Sequence, residues 1–596
     1  MITQYHRKPV VYIHATDGRI DVSRYVMSIS TQRSIGQPVS SCTVTLANVP
    51  GAEPNGNSNL YLNAAEWISL IKKIIRPQQI VSIQMYPEDQ AAADEITYIQ
   101  ETFIGLIDIL HQNENYEGGQ PTVSYQFSAA GLLGKILTKE SIVGSQVIAM
   151  LSNPKLSELL GQRWSDFFKM VRGLTDEGSS VFVGNPDTSG AIQYILSNAV
   201  RFREFLAIKP DGTGQLVEFD AGTSAKESID QILDMKTLKY EYLFGVELSV
   251  YTGTIWNYIL RTLDMRFYET FIDTTHFRKQ GSNTYETREK LVIRPIPYSY
   301  KFMDAIYETD EKDRRIEEGW IYWEDLPVSG EFKRSDVLSI DLSSNDSQHF
   351  NWFTMQYNNS MIAPPGSGLS TFGYSAPLIN PQGIKEFGLR EMNYETKNPF
   401  NFSKLQEDIN KANTEEKPVE FSKEGESVLS LNLQSKKNRV MEWNSFPYYE
   451  YGQVTVNGNR KIRIGTKIRL MQQEYCYTLK NASGTIETYA GIGMEYYVTG
   501  VEHTYAVGRD IRTRITVQKG IPIIASDTTN HPVKIYLEAT YKNRIDVGKQ
   551  YLLMQEETDR LKKLAEQKKA AEKLVNAAVL TKKKQKPLKP TKGKKK

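Results

Sequence analysis

Hydrophobic and polar positions alternate with a period near two along the first 135 residues. VVYIHA (10–15), YVMSISTQR (25–33), SCTVTLANV (41–49), IVSIQMYP (80–87), YIQETFIGLIDIL (98–110) and TVSYQFSAAG (122–131) predict strands. Asp17-Gly18, between the first two, is a hairpin signal. A short helical pattern, NAAEWISLIKKII, precedes the fourth strand. One apolar and one polar face per strand suits a half-buried antiparallel sheet or barrel.

From about residue 132 the spacing lengthens to three and four. GLLGKILTKESIVGSQVIAML, KLSELLGQRWSDFFKMVRGL, SGAIQYILSNAVRFREFLAI and ESIDQILDMKTLKYEYLF predict helices. Between 250 and 300 a helix (TIWNYILRTLD) is followed by strands in FYETFID and KLVIRPIPY. Pro295 and Pro297 confine the second of these to an edge or a sheet exit. Residues 380–428 are polar and predict an exposed insertion. Strand character returns at about 430. Asn457-Gly458 lies between two alternating runs, and MEYYVTGVEHTYAVGRDIRTRITVQKG follows, so two hairpins are expected, in the coarse pattern of the N-terminal region. Residues 546–580, rich in Ala, Leu, Glu and Lys, predict one long helix. Leu561, Leu564, Lys568, Ala571, Val575 and Ala578 form a narrow seam on it, open to two readings: a coiled coil, or a solvated helix docked on its own body. The final segment, 581–596, is expected to be disordered.

The 596 residues suffice for several domains. The formal charge of +2 hides a division. From Leu561 onward there are 14 Lys and two Glu; the remainder holds 58 basic and 68 acidic residues, a net of −10. An acidic body therefore carries a basic tail. No apolar run reaches the roughly 18 residues of a spanning helix. The N-terminus lacks the apolar stretch of a signal peptide. Cys42 and Cys476 are too far apart in sequence to suggest a disulfide framework or a zinc site. Cys42 reads as a buried strand residue.

Signatures of catalysis are missing from the sequence. No two of the seven histidines lie within five residues of one another, and no HExxH, GxSxG or GxxxxGK[ST] pattern occurs. Asn185-Pro-Asp187 opens like a calcium loop, but Leu196 stands where the bidentate Glu is required. The expectation is no enzyme, no cofactor and no metal. A carboxylate pair across a cleft, as in glycoside hydrolysis, leaves no local signature, so a cell-wall hydrolase remains the alternative.

Four segments resemble the baseplate hub proteins of phage tails, the late control protein D family. They are GRIDVSRYVMSISTQRSIGQPVSSCTVTLANV (18–49), QETFIGLIDIL (100–110), TIWNYILRTLDMRFYETFID with KLVIRPIPY (254–298), and GQVTVNGNRKIRIGTKIRL with YYVTGVEHTYAVGRDIRTRITVQKG (452–520). The resemblance implies an α+β fold: two antiparallel, tail-tube-like β-barrel domains with helical insertions and a C-terminal helix. The expected divisions are a first barrel (1–135), a helical insertion (136–245), a mixed middle region (246–429), a second barrel (430–522), a linker and helix (523–580) and the Lys-rich tail (581–596).

It further implies a homotrimer forming a pseudo-six-fold ring in the virion baseplate, made in the host bacterial cytoplasm. The implied partners are the tail tube protein, the central spike and other baseplate proteins, with transient passage of DNA; the hub of a phage-derived contractile injection system is the related alternative. Glu269 and Asp273 belong by resemblance to a subunit contact, against the plainer reading of solvated charges, and Arg294 is placed to pair with such a carboxylate. Trp256 and His503 read as core residues. Lys582, Lys583, Lys584, Lys586, Lys589, Lys592, Lys594, Lys595 and Lys596 are the candidate partner-binding tail, directed at an acidic protein surface on the spike, a neighbouring hub or the tape-measure protein, with nucleic acid or a solvated end without function as the alternatives.

Overall fold

The computed structural model describes residues 9–15, 18–47, 68–69, 71–72, 75–85, 102–115, 122–139, 141–142, 192, 204–208, 214–218, 233–236, 253–278, 285–310, 319–344, 349–357, 374–396, 435–458, 462–480, 486–523 and 531–584. Seven strands build the first lobe: β1 (Val10–Ala15), β2 (Gly18–Asp21), β3 (Val26–Ser34), β4 (Ser41–Ala47), β5 (Ile80–Gln84), β6 (Thr102–Asn115) and β7 (Thr122–Gly131). Helix α1 (Leu132–Lys139) follows directly. Short strands come next: β8 (Ser141–Ile142), β9 (Glu204–Ile208), β10 (Gly214–Glu218), β11 (Leu233–Met235) and β12 (Gly253–Thr254). The middle of the chain contains α2 (Ile255–Thr262), β13 (Tyr268–Arg278), β14 (Tyr285–Pro295), α3 (Lys301–Asp310), β15 (Val328–Phe332), β16 (Val337–Ser344), β17 (Trp352–Tyr357), β18 (Tyr374–Ile379), α4 (Pro381–Phe387) and β19 (Glu391–Thr396). Helix α5 (435–445), β20 (Glu450–Asn457), β21 (Lys467–Lys480), β22 (Ile486–Ala506), β23 (Arg512–Ile523), α6 (Pro532–Asn543), β24 (Ile545–Asp546) and α7 (Val547–Lys584) complete it.

The two lobes share one 13-stranded sheet, ordered β16-β20-β23-β22-β3-β4-β7-β6-β5-β1-β2, with β21 and β15 continuing from β22. Each half curls around its own core. Val44, Ile83, Tyr125 and Phe127 lie in the first; Val454, Ile468, Met494 and Ile515 lie in the second. The join is the antiparallel pairing of β22 with β3, from Gly500 opposite Ser34 to Ala506 opposite Ser28. A third core, rich in Trp and Tyr, gathers Trp256, Trp320, Trp323 and Trp443 among the helices beside the sheet.

The lobes are copies of one plan. In each, a short strand runs through a 3-10 turn (Ser23–Tyr25, Arg334–Asp336) into the next strand, giving β2–β3 and β15–β16. Strands β3, β4, β5, β6 and β7 correspond to β16, β20, β21, β22 and β23. The irregularities correspond too. A register shift falls between Val26 and Ser28 in β3 and between Val337 and Ser339 in β16. Another falls between Ile107 and Ile109 in β6 and between Val498 and Gly500 in β22. Ahead of β5 and β21, Gln78 (φ 71°) and Gly465 (φ 74°) adopt the same left-handed turn, and each donates its N–H to the equivalent carbonyl, Ile107 or Val498. Bulges re-aim a strand in a position-specific way, so their coincidence marks one template. The first lobe adds β1 between β2 and β5, whereas β15 pairs directly and in parallel with β21.

Several expectations are corrected. The second lobe is discontinuous: β15 and β16 reach it from the middle region, ahead of residue 430. Asn457-Gly458 closes no hairpin, because β20 pairs with β16 and β23, and the Gly458 N–H goes to Ile511. The chain after it is drawn inward by Ile462 and Ile464, both buried in the second core. Glu204–Ile208 and Leu233–Met235, expected to be helical, are strands; β11 pairs in parallel with β14, and such tertiary pairing overrides local periodicity. Part of the polar insertion is ordered as α4 and β19, with Asn380 capping α4 through its side chain. Most of 143–203 and 397–434 lies outside the described residues.

Helix α7 continues to Lys584, past the expected end at 580. Lys is a good helix former, and positive charge suits a helix C-terminus. Its start lies against β18, and its Leu553, Met554, Leu561 and Leu564 are exposed.

Tyr505, carried on β22, is buried in the core of the first lobe. Tyr505→Ala is expected to cost about 3 kcal/mol, the usual penalty for emptying a large buried aromatic site. Urea unfolding followed by amide exchange should show the loss in β3 and β4, remote in sequence from the substitution.

Candidate functional site

The hairpin β13–β14 sits between the lobes and carries the residues singled out in the sequence. Glu269 stands opposite Arg294, and Asp273 opposite Lys290. Alternation puts Glu269, Phe271 and Asp273 on one face, and Phe271 with Val292 enters the core of the second lobe. The other face, with Tyr268, Ile272, Leu291 and Ile293, enters the aromatic core. Two-sided burial explains the apolar run KLVIRP. Pro295 is the last residue of β14, at a sheet exit, where a missing N–H removes no interior ladder bond.

Glu269 and Arg294 meet as a buried pair. Arg294 donates from Nε to Glu269 Oε1 at 2.7 Å, and its terminal nitrogen donates to the Gly465 carbonyl at 2.6 Å and to the Tyr497 hydroxyl at 3.1 Å. The Tyr497 hydroxyl donates to the same Glu269 oxygen at 2.5 Å. Arg294 also lies over the Phe271 ring, 5.3 Å from its centroid. Burial raises the Glu269 pKa, and the Arg294 charge and the Tyr497 hydrogen bond oppose that rise. Glycine suits the positive φ at 465, and a Cβ there would come within 2.7 Å of the Arg294 guanidinium, a clash that Gln78 in the equivalent turn does not meet. The structure thus brings together Glu269 and Arg294 inside the chain. Asp273 remains half-buried and accepts from the Thr274 N–H at 2.9 Å.

A second carboxylate on the same hairpin went unnoticed in the sequence. Glu289 of β14 accepts from the Leu133 N–H, at the start of α1, at 2.7 Å and from the Ser40 hydroxyl at 2.8 Å. Burial raises its pKa against those two hydrogen bonds. Gly131 makes the room, since a Cβ there would lie 2.3 Å from the Glu289 carboxylate. One strand therefore grips the first lobe with Glu289 and the second with Arg294. A lone Glu in YETREK gives no local signal of this role, because its partners are 156 and 249 residues away.

Two further ionic clusters brace the helices. Arg439 of α5 binds Glu442 at 3.1 Å and also Asp304 of α3. Glu442 in turn accepts from the Tyr300 N–H at 2.6 Å and the Tyr307 hydroxyl at 3.0 Å. Glu495 of β22 receives Lys467 at 3.2 Å, Arg469 at 3.0 Å and the Trp323 indole N–H at 2.6 Å. Lys519 is different. It occupies a bulge of β23 in a left-handed conformation (φ 53°), donates to the Trp443 carbonyl, and lies 4.0 Å from the centroid of Tyr449. Burial pushes its ammonium down to about 7.

Trp256 is buried in the aromatic core, and His503 is buried with Nδ1 3.0 Å from the Thr513 hydroxyl. Cys42 is buried, which raises its thiol. Among the described residues no group of His, Cys, Asp and Glu has a metal-binding arrangement, and no helix is long and apolar enough to cross a membrane. Lys582, Lys583 and Lys584 are on α7; Lys586, Lys589, Lys592, Lys594, Lys595 and Lys596 lie outside the described residues. Chemically, this is a junction built to hold two lobes in a fixed relation.

No protein-family model matches the chain, and no curated protein matches it. Among solved structures it is similar to the 43 kDa tail protein of prophage MuSo2 from Shewanella oneidensis, with 9% identity, 85% of this chain and 98% of that one covered, and a TM-score of 0.36. It is also similar to the tail protein from Neisseria meningitidis MC58, with 7% identity, 86% and 97% covered, and a TM-score of 0.31. A component of the type VI secretion system of E. coli, described as structurally similar to the T4 bacteriophage tail proteins gp27 and gp5, shares 7% identity, with 87% and 77% covered and a TM-score of 0.28.

Arg294→Met should destabilise the protein by about 3–5 kcal/mol, because it strands a buried carboxylate. Arg294→Met with Glu269→Gln should recover most of the loss in urea titrations. For Lys519, the folded pKa lies below the unfolded value of 10.5. The unfolded chain then binds more protons between about pH 7 and 10.5, so stability should rise with pH across that window. Lys519→Met should remove that rise; an unchanged pH slope would show that Lys519 stays protonated.

Proposed function

We propose that the chain is a structural baseplate hub of a tailed phage, a homotrimer whose six lobes form a pseudo-six-fold ring between tail tube and central spike. The observation that carries this reading is the duplication: two lobes of one plan lie side by side in a continuous sheet, joined by non-equivalent strands, β3 of one and β22 of the other. A head-to-tail contact of this kind is heterologous, and heterologous contacts generate rings when the rotation closes. The sequence resemblance to hub proteins points the same way. An acidic body suits a channel wall past which DNA moves, since basic walls bind phosphate by releasing counterions. The basic tail, with nine Lys and no acid from Lys582 onward, suits an acidic surface on a neighbouring tail protein.

Light scattering of the purified protein with tube and spike partners should report a trimer; monomer alone under those conditions would sink the reading. A zymogram on peptidoglycan should show no clearing, and clearing lost on acid-to-amide substitution would establish the hydrolase instead. Removing residues 581–596 should leave the trimer intact and weaken particle assembly. Salt should mimic the deletion, because the screening length shortens to about 3 Å at 1 M.

A further inference from the structure

Among the strand edges of the large sheet that have no described partner, the duplication relates two. Within the chain, β22 uses its near half to pair with β21 and its far half, beyond the bulge at Val498–Gly500, to pair with β3. Its counterpart β6 also uses its near half, Thr102–Leu106, to pair with β5. Past the bulge at Ile107–Ile109, β6 pairs with β7 on one side and with no described strand on the other. The counterpart of β3 is β16, which pairs with β20 and, among the described residues, has no partner on its second side. The first lobe lacks a neighbour where the second has β3, and the second lacks one where the first has β22.

Burial records the same vacancy. Ile29 of β3 is 2% exposed beneath β22, while its counterpart Ile340 of β16 is 36% exposed. On the other edge, His503 and Tyr505 of β22 are buried, while their counterparts Gln112 and Glu114 of β6 are exposed, and Ile109 at the bulge is 50% exposed. An open strand carrying exposed Leu and Ile, with neither Pro nor Lys to blunt it, is a template for pairing with another chain.

We propose that β16 of one copy pairs antiparallel with the far half of β6 of the next, reproducing between chains the β3–β22 join found within the chain. The occupant is a second copy of this protein, because its own lobes carry the bulges that the internal join uses. Transferring the register of the internal join sets Leu110 opposite Ser344, Gln112 opposite Leu342, Asn113 opposite Asp341, Glu114 opposite Ile340 and Asn115 opposite Ser339. No like charges face each other in that register. Every copy offers one edge of each kind, so the contact repeats head to tail and, closed at three copies, gives six lobes in a ring. This surface rests on the hub reading for its closure at three; the strand register rests on the duplication alone.

The test uses the full-length protein with Cys476→Ser. Asn113 and Asp341, directly opposite in the proposed register, should have Cα atoms about 4.5–5.5 Å apart, within the roughly 4.4–6.8 Å that a disulfide spans. Asn113→Cys and Asp341→Cys chains should not cross-link alone under mild oxidation, but should form one-to-one dimers when mixed. The double variant should give covalent trimers. A second measurement avoids cysteine: Ile340→Glu should leave the melting curve of the monomer unchanged and weaken self-association about tenfold by facing Glu114, and adding Glu114→Lys should restore it. Trimers by light scattering without the 113–341 cross-link would overturn this surface and leave the hub reading standing. Monomers at all concentrations, with partners present, would overturn both. Self-linking of either single variant would show a symmetric contact and overturn the head-to-tail register.

Discussion

A strand edge that faces neither water nor another strand leaves its main-chain donors and acceptors unsatisfied, and this constraint organises the protein. Strand β22 meets it by serving two lobes at once. Its near half closes against β21, its bulge turns the strand, and its far half covers β3. The result is one sheet wrapped around two cores. The first lobe is not self-sufficient, since Tyr505 from the second fills its core. The bulge is what permits it, because a straight strand could not leave one barrel wall and enter another.

The hairpin β13–β14 solves a different problem, that of fixing the angle between the lobes. Apolar packing alone is non-directional. Glu289 and Arg294 add direction: one reaches a helix N-terminus and a hydroxyl of the first lobe, the other a carbonyl and a hydroxyl of the second. Burying these charges costs energy that apolar residues of the same size would not, so their contribution is to geometry more than to net stability. Gly131 and Gly465, where the two side chains land, are the spaces the arrangement needs.

What the sequence disclosed depended on range. Alternation located most strands of the first lobe and the hairpin β22–β23, and Arg294 was readable as the partner of one of two carboxylates, Glu269 or Asp273, because each is decided by residues close in the chain or directly across one hairpin. The long helix α7 was legible from composition. The discontinuity of the second lobe was not. Asn457-Gly458 has the chemistry of a tight turn, but β16, more than a hundred residues earlier, takes the place beside β20. The duplication did leave a trace: Val26-Met-Ser-Ile29 and Val337-Leu-Ser-Ile340 occupy the same positions of their lobes. Four residues are too few to recognise without the bulges that frame them. Glu289 was beyond reach because nothing near it in sequence reports a helix start and a hydroxyl arriving from the other lobe.

Duplication followed by divergence also explains why the lobes differ where they do. Positions facing each core kept their character: Val44 and Val454, Phe127 and Ile515, Ile83 and Leu470 are all buried. The left-handed turn before β5 and β21 has the same backbone in both lobes but Gln78 in one and Gly465 in the other, since only the second lobe must admit Arg294 at that point. The greatest differences lie along the edges. Where β3 presents Ser30 and Thr31 to a covering strand of its own chain, β16 presents Asp341 and Leu342 with no described strand over them. Ser30 donates to Glu502 of that covering strand at 3.0 Å; Asp341, its counterpart, can accept but not donate when ionised. The same backbone join therefore has different side-chain chemistry in its internal and its open form. In the ring proposed above, that difference makes internal and inter-chain contacts alternate, so the exact symmetry is three-fold and the six-fold character is approximate.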